Sequence, residues 1–176
     1  MFQIKHTKIN GCFILESRFH EDQRGLFGKN FNSQMFQDLG LDLNIKEQFY
    51  SVSKKNTIRG MHYQTEPFSQ NKLISCIRGE AIDVFLDIRK NSETFGNYDS
   101  IYLSEKKNLS IYLSSGIAHG FLSLKDETII LYNTSEVYSS QHDQGIKWNS
   151  FGYDWGINNP IISNRDKLFN NFEKQF

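Results

Sequence analysis

The sequence predicts an all-β protein, a sandwich or barrel with few helices. From residue 47 to residue 138, one short run of strand-forming residues follows another. Turn signals separate the runs, namely Arg78-Gly79, Phe95-Gly96-Asn97, Ser114-Ser115-Gly116 and Lys125-Asp126. Fifteen Phe and eight Tyr suit strands that pack on a pleated surface. Many short strands with few helices are typical of a sandwich or a barrel.

Length and composition favour one domain over residues 1–176. A chain of 176 residues can bury one sizeable core, and no internal repeat or linker divides it. Twenty Lys plus Arg balance twenty Asp plus Glu, so no overall field attracts nucleic acid or an anionic membrane. We therefore expect neither partner, and any anionic ligand must be held by a local cluster of charge.

Targeting signals and cysteines predict a cytoplasmic protein. The first residues contain no apolar run typical of a signal peptide, and no run of eighteen apolar residues could form a membrane span. Cys12 and Cys76 share no metal-binding spacing. We expect two reduced thiols, with Cys76 in the core.

One early segment has a helical signature. Ser33 can cap a turn that carries Met35, Phe36 and Leu39, and Gly40 is a plausible stop. We expect a single short helix that leans on a sheet.

The run from Ile82 to Ile88 alternates cleanly. Ile82, Val84, Leu86 and Ile88 lie on one face, and Asp83, Phe85 and Asp87 on the other. Carboxylates that face a barrel interior need polar partners, whereas carboxylates on a solvent face do not. We expect Asp87 to face solvent and leave both orientations open for Asp83.

Near the C-terminus, Ser163 has the position of an N-cap, with Asp166 three residues later. This spacing predicts a short terminal helix. It also gives Asp166 a possible structural role, because first-turn carboxylates favour the positive end of a helix.

Reactive side chains concentrate in three segments, residues 58–64, 70–73 and 116–121. Polar groups are costly in a closed barrel unless they face a wet or functional cavity. A lone His, Arg or Lys is weak evidence. Glycines flank both His62 and His119, however, which indicates a place where the backbone is closely approached.

These segments resemble the dTDP-4-dehydrorhamnose 3,5-epimerase family in order and spacing, from about residue 19 to about residue 166. The resemblance is carried by the strand of Tyr132 and by the strings RGMHYQ, QNKL, GEAIDVFLDIR, SETFG, SSGIAHGF, GIKWN and ISNRD. It implies a cupin-type jelly-roll barrel with a few short peripheral helices, a homodimer that exchanges edge strands, and no metal or organic cofactor. Gln64 also breaks the HxH pair of a metal-binding cupin.

The resemblance further implies a set of catalytic roles. Epimerisation beside a keto group needs a base, an acid on the opposite face, and positive charge near the enolate oxygen. His62 matches the family base, and Asp166 matches the aspartate that pairs with its other ring nitrogen. Lys72 matches a lysine near the carbonyl oxygen, and Tyr132 matches the residue that returns a proton.

A second group matches positions that contact a nucleotide-diphospho-sugar. Arg59 and His119 lie around the substrate in the family, and Arg24 matches an arginine that reaches the diphosphate from the partner subunit. Tyr138 matches an aromatic residue that stacks on the base, and Arg165 replaces a lysine near the phosphates. The remaining expected substrate contacts are Lys29, Gln48 and Asp143.

Two departures leave the nucleotide and the sugar open. Phe49-Tyr50 precede Ser51 where the family has an acidic residue and Asn, and Lys29 stands at a common glutamate position. A CDP- or GDP-linked 4-keto sugar, or inversion of C3 or C5 alone, is an alternative. So is a keto-sugar isomerase. A sugar-binding jelly-roll module would lack the base, acid or lysine, and a metal-dependent oxygenase would need ligands that this chain lacks.

Overall fold

The computed structural model describes residues 3–173. Within that range the chain forms thirteen strands and two short helices. The strands are β1 Gln3–His6, β2 Cys12–Glu16, β3 His20–Asp22, β4 Gly25–Phe27, β5 Glu47–Ser53, β6 Ile58–Gln64, β7 Lys72–Arg78, β8 Glu80–Asp87, β9 Tyr98–Ser104, β10 Leu109–Leu113, β11 Ile117–Ser123, β12 Thr128–Thr134 and β13 Asp143–Gly145, and the helices are α1 Ser33–Asp38 and α2 Asn164–Lys167.

Two antiparallel sheets form the body of the structure. The first has six strands in the order β1-β2-β10-β7-β12-β5, and the second has five in the order β13-β6-β11-β8-β9. Strands β3 and β4 pair as a separate hairpin. The predicted turns lie between strands, as at Gly79 between β7 and β8, where the positive φ of 77° suits glycine. The expectation of an all-β jelly-roll barrel with short peripheral helices is confirmed.

The main core lies between the two sheets. Ile74, Ile111 and Ile130 of the first sheet meet Phe85 and Phe121 of the second in one buried cluster. The outer face of each sheet is also partly covered. The C-terminal segment covers the outer face of the second sheet with residues such as Trp155, and α1 covers that of the first. Many strand residues that point outward, such as Val84 and Leu86, are therefore also buried.

Helix α1 forms where the sequence predicts it, but its cap was misassigned by one residue. The side chain of Asn32, not that of Ser33, accepts the amide hydrogen bond of Met35. Both residue types are good caps, so the pattern could not separate them. Gly40 ends the helix with a φ of 69°, as expected. For α2, the expected cap is confirmed, since the Ser163 hydroxyl accepts from the Asp166 amide.

The solvent-facing orientation expected for Asp87 is wrong. Asp87 is fully buried, and its carboxylate accepts hydrogen bonds from Arg89, Ser92 and Thr94. These donors come from the loop that follows β8, so they supply the partners that a buried carboxylate needs. Asp83 is also fully buried, on the inner face of the barrel.

Both cysteines are buried and free, which confirms Cys76 as a core residue. Burial raises the pKa of each thiol to about 12. Neither thiol is reactive in this state, because the thiolate is the nucleophilic form. Among residues 3–173, no helix has the length and apolar character that a membrane crossing requires.

Candidate functional site

A cavity of about 340 Å³ opens between the two sheets, beside the apolar core. Strands β6 and β11 contribute from one sheet, and β5, β7 and β12 from the other. The residues that line it are Phe49, Ser51, Arg59, His62, Tyr63, Gln64, Gln70, Lys72, His119, Tyr132, Tyr138, Asp143 and Arg165. Most of the residues that the sequence singles out therefore meet in one place.

His62 lies on the cavity wall with a carboxylate behind it. Its Nε2 is 3.0 Å from Oδ1 of Asp166, and the other carboxylate oxygen accepts the backbone N–H of Gly60 at 3.1 Å. Although burial acts to raise it, the hydrogen bond with His62 holds the pKa of Asp166 below its usual range. A charged carboxylate at Nε2 keeps the hydrogen on that nitrogen and leaves Nδ1 to accept a proton.

The position of Asp166 depends on α2. The Ser163 cap fixes the first turn, and Asp166 lies in that turn with its side chain only 5% exposed. The first-turn role of Asp166 and its role as the partner of His62 are therefore compatible. The helix terminus anchors the residue, and its carboxylate orients the imidazole.

Two glycines bring the histidine strands close together. A Cβ on Gly60 would lie 2.5 Å from the Cα of Gly120, and a Cβ on Gly120 would lie 2.8 Å from the carbonyl oxygen of Arg59. The close approach expected from the flanking glycines is thus between strand backbones. It sets His62 directly opposite His119 in the register of β6 and β11.

Lys72 is a buried cation at the start of β7. Its Nζ donates to the backbone carbonyl of His62 at 3.2 Å. Burial lowers the pKa of Lys72 to about 8, while Asp143 and Asp83 act in the other direction. The side chain thus places a cation with a pKa of about 8 at the cavity wall, next to the backbone of His62.

His119 forms a second histidine–aspartate pair. Its Nε2 is 2.7 Å from Oδ2 of Asp83, and both residues are buried. Burial lowers the pKa of His119, although Asp83 opposes this, and burial raises the pKa of Asp83. The neutral imidazole is therefore the favoured form of His119.

Tyr132 faces the cavity from the sheet opposite His62. It lies on β12 in the six-stranded sheet, whereas His62 lies on β6 in the five-stranded one. Burial raises the pKa of Tyr132 above its ordinary value, and the nearby Ser51 hydroxyl acts in the opposite direction. The phenol therefore keeps its proton at physiological pH and can act as a donor.

Charged and aromatic groups surround the cavity mouth. Arg165 and Asp143 form an ion pair at 2.7 Å, and the Arg165 guanidinium lies over the ring of Phe169. Tyr138 is 60% exposed. Arg59 donates to the Ser53 hydroxyl at 3.0 Å. This rim combines cations with an exposed aromatic ring, which suits a ligand that carries phosphate and a planar base.

Three of the predicted substrate contacts do not line the cavity. Gln48 is exposed on β5 and donates to the side chain of Asn133 at 2.6 Å. Arg24 lies on the β3–β4 hairpin, where it pairs with Asp22, and Lys29 is exposed just after that hairpin. Arg24 therefore lies apart from the cavity of its own chain.

Several lining residues were not singled out from the sequence. Ser51 carries a buried hydroxyl that lies near the phenol of Tyr132. Phe49 stacks on Tyr132, with ring centroids 4.7 Å apart and planes 14° apart. The strand alternation of β5 could have found both, because residues 49 and 51 share a face. Tyr63 and Gln70 lie in segments that the sequence singled out, but they were not predicted as site residues.

Gln64 has a structural role where a metal-binding cupin would have its second histidine. Its amide donates to the carbonyls of Phe68 and Val137, and its oxygen accepts from the Ser139 amide. Across residues 3–173, no group of three or more His, Cys, Asp or Glu side chains could hold a metal ion.

The arrangement provides a base, a neutral acid and a cation in one cavity. His62 with Asp166 can accept a proton, Tyr132 can donate one from the other sheet, and Lys72 can stabilise negative charge between them. A larger surface depression of about 630 Å³ has no comparable set, since Lys8 is its one ionisable side chain apart from Tyr98. The cavity between the sheets is the candidate active site.

Known proteins are similar to this chain in both sequence and fold. The family model described as dTDP-4-dehydrorhamnose 3,5-epimerase matches residues 6–174. The dTDP-4-dehydrorhamnose 3,5-epimerase of Methanothermobacter thermautotrophicus is 37% identical over 171 residues, covering 94% of this chain and 92% of the relative.

Solved structures agree with the family match. A dTDP-4-dehydrorhamnose 3,5-epimerase from Bacillus anthracis, with TDP and PPi bound, has a TM-score of 0.95 at 32% identity, over 98% of this chain and 100% of that chain. A dTDP-6-deoxy-D-glucose-3,5-epimerase from Legionella pneumophila, in complex with dTDP-4-keto-L-rhamnose, has a TM-score of 0.93 at 28% identity, over 97% and 93% of the two chains.

Proposed function

Because this chain belongs to the dTDP-4-dehydrorhamnose 3,5-epimerase family, we propose that it inverts C3 and C5 of a dTDP-linked 4-keto-6-deoxy sugar. The product is an activated sugar for a surface polysaccharide. The observation that carries the proposal is the pairing of His62 with Asp166 in a cavity that Tyr132 enters from the opposite sheet.

Proton abstraction is assigned to His62. The hydrogens on C3 and C5 are acidic because the carbanion is delocalised into the C4 carbonyl as an enolate. The Asp166 carboxylate 3.0 Å from Nε2 favours the tautomer with a free Nδ1 and stabilises the imidazolium that forms. His62 therefore takes the proton at Nδ1.

Stabilisation of the enolate is assigned to Lys72. The ammonium is buried, so its charge acts in a medium of low dielectric, where electrostatic stabilisation is strong. His119, held neutral beside Asp83, contacts the edge of the Tyr132 ring and completes this part of the wall.

Reprotonation is assigned to Tyr132. Its phenol stays neutral at physiological pH, so a proton is available whenever the enolate forms. Delivery from the sheet opposite His62 adds the proton to the opposite face of the ring, which inverts the carbon. Solvent then reprotonates the phenolate and takes the proton from the imidazolium, so the enzyme is restored.

Substrate binding is assigned to the rim and to a second subunit. Arg59 and Arg165 suit the diphosphate, Tyr138 suits the base, and Asp143 orients Arg165 through their ion pair. Arg24 lies apart from its own cavity, which favours a role in the neighbouring site of a homodimer. Lys29 and Gln48 are assigned to the same nucleotide region.

The protein is proposed to act as a single domain in a homodimer that exchanges edge strands. The outer strand β5 exposes apolar side chains, with Tyr50 67% and Val52 50% exposed, which a partner subunit could cover. Two free buried thiols and a nucleotide-activated substrate suit the cytoplasm. The catalytic steps need no metal or organic cofactor.

The test is incubation with dTDP-, CDP- and GDP-linked 4-keto-6-deoxy sugars in heavy water, followed by NMR. We expect deuterium at both C3 and C5 and inverted product with the dTDP-linked sugar. Deuterium at one carbon alone would identify a single-centre epimerase, and movement of the carbonyl would identify an isomerase. Binding without any deuterium incorporation would contradict an epimerase and favour a sugar-binding module.

A further inference from the structure

Phe49 makes a contact that the catalytic steps above do not use. It lies directly opposite Tyr132 in the register of β5 and β12. The two rings are stacked, with centroids 4.7 Å apart and planes 14° apart. The sequence before Ser51 is also one of the two places where this chain is expected to depart from its family.

The position of Phe49 is unusual for a large apolar side chain. It is 44% exposed on an outer strand, yet it lines the cavity beside the buried Tyr132. The main core cluster does not include Phe49. The one ring contact of Phe49 in the described part of the chain is therefore the face of the proton donor.

The Tyr132 ring is held by more than one neighbour. Phe49 covers one of its faces, and His119 makes an edge-to-face contact at 6.1 Å and 75°. His119 is itself held at 2.7 Å by Asp83. Stacked and edge-to-face contacts restrict ring orientation, so together they limit where the phenol oxygen can lie.

We propose that Phe49 is a positioning residue for Tyr132, and that its ring holds the phenol on the line along which it delivers a proton to the face opposite His62. The proposal rests on the proposed function. It concerns the fate of the enolate after His62 has removed the proton. A misplaced donor slows delivery steeply, because proton transfer requires the donor within hydrogen-bond reach of the acceptor carbon.

The enolate has two fates, which can be measured separately. If His62, after exchange with solvent, returns a deuteron to the face it came from, the substrate gains deuterium without inversion. If Tyr132 delivers a deuteron to the other face, inverted product forms. The ratio of exchange without inversion to inversion therefore reports on the placement of Tyr132, and a loss of stability alone would not change it.

The experiment measures this ratio by NMR in heavy water for the wild type, Phe49→Ala and Phe49→Tyr. We expect Phe49→Ala to raise the ratio about tenfold or more, because a reacting group misplaced by about 1 Å can lose about 10²-fold in rate. Phe49→Tyr keeps an aromatic ring at the position and should restore the wild-type ratio. Tyr102→Ala, which removes an exposed aromatic ring on β9 outside the cavity lining, is the control.

An unchanged ratio in Phe49→Ala would overturn the inference, as would an equal fall in exchange and inversion. Equal falls would mean that Phe49 contributes to binding only. If the wild type shows neither exchange nor inversion with any of the three nucleotide sugars, the proposed function itself fails. The two failures are therefore distinguishable.

Discussion

Single residues in the cavity owe their chemistry to burial. Lys72 is a strand residue with a buried ammonium, and burial lowers its pKa to about 8. The same desolvation raises the pKa of Tyr132 and lowers that of His119. Burial therefore prepares a cation that titrates near neutral pH, a neutral acid and a neutral imidazole.

Lys72 makes the activity of the free enzyme depend on pH. Its charged form exists below a pKa of about 8 and is lost as the pH rises through that value. We expect kcat/KM to fall above about pH 8, because the cation proposed to stabilise the enolate loses its charge. Lys72→Met should lower activity and remove this limb of the profile. A profile that stays flat from pH 7 to 9.5 in the wild type would contradict the role of Lys72.

Motifs in the sequence identified His62, Lys72, Tyr132 and Asp166, since each lies in a segment with a specific pattern. Phe49 and Ser51 were noted as part of a departure from the family but were not predicted as site residues. They lie in the part of β5 where the chain departs from its family, so no motif indicated them. Their significance depends on the pairing of β5 with β12, which residue types alone do not specify.

Secondary-structure elements position these side chains through a few local devices. The Ser163 cap holds Asp166 in the first turn of α2, and two glycines let β6 and β11 pack closely. The sequence predicted the cap of α2 from its spacing. It misassigned the cap of α1 because Asn32 and Ser33 are adjacent residues of equal capping ability.

The error at Asp87 has a general cause. Alternation predicts which residues share a face, but it cannot say whether the second face meets solvent or another sheet. In β8 both faces are buried, and donors from the following loop make the inner position of Asp87 acceptable. Which element covers the second face of a strand is known only from the folded chain.

Close packing at Gly60 should make that position intolerant of a side chain. Gly60 has a φ of 134°, and an added Cβ would meet the Cα of Gly120 at 2.5 Å. Gly25 has a φ of 112° but open space around it, so it is the matched control. We expect Gly25→Ala to cost about 1 to 2 kcal/mol through backbone strain, and Gly60→Ala to cost about 1 to 3 kcal/mol more through overpacking.

Urea unfolding measures this difference. Both variants are compared with the wild type at one pH, and the free energy of unfolding is extrapolated to water. Equal losses in the two variants would show that the β6–β11 approach is not constrained by sterics.

The whole molecule has two packed sheets that place His62 and Tyr132 on opposite walls of the cavity. Composition and turn spacing predicted an all-β sandwich or barrel, because many short strands admit few alternatives, whereas the jelly-roll barrel was implied by the resemblance. Assembly could not be derived in the same way. The edge position of β5 and the distance of Arg24 from its own cavity become evident only in the fold.

Subunit complementation tests the assignment of Arg24 to the neighbouring site. We expect Arg24→Ala and His62→Ala each to be nearly inactive as homodimers. Random co-assembly of the two chains should restore about a quarter of wild-type activity, because half of the dimers are mixed and each mixed dimer has one intact site. No recovery in mixed dimers isolated by two affinity tags would contradict a contribution in trans.

The central claim is that His62 removes and Tyr132 returns the proton, and the Tyr132→Phe variant tests it most directly. We expect this variant, incubated with dTDP-4-keto-6-deoxyglucose in heavy water, to incorporate deuterium at C3 and C5 while inverted product falls about 10²-fold or more. His62→Ala should incorporate none. Unaltered inversion in Tyr132→Phe, or continued exchange in His62→Ala, would contradict the mechanism.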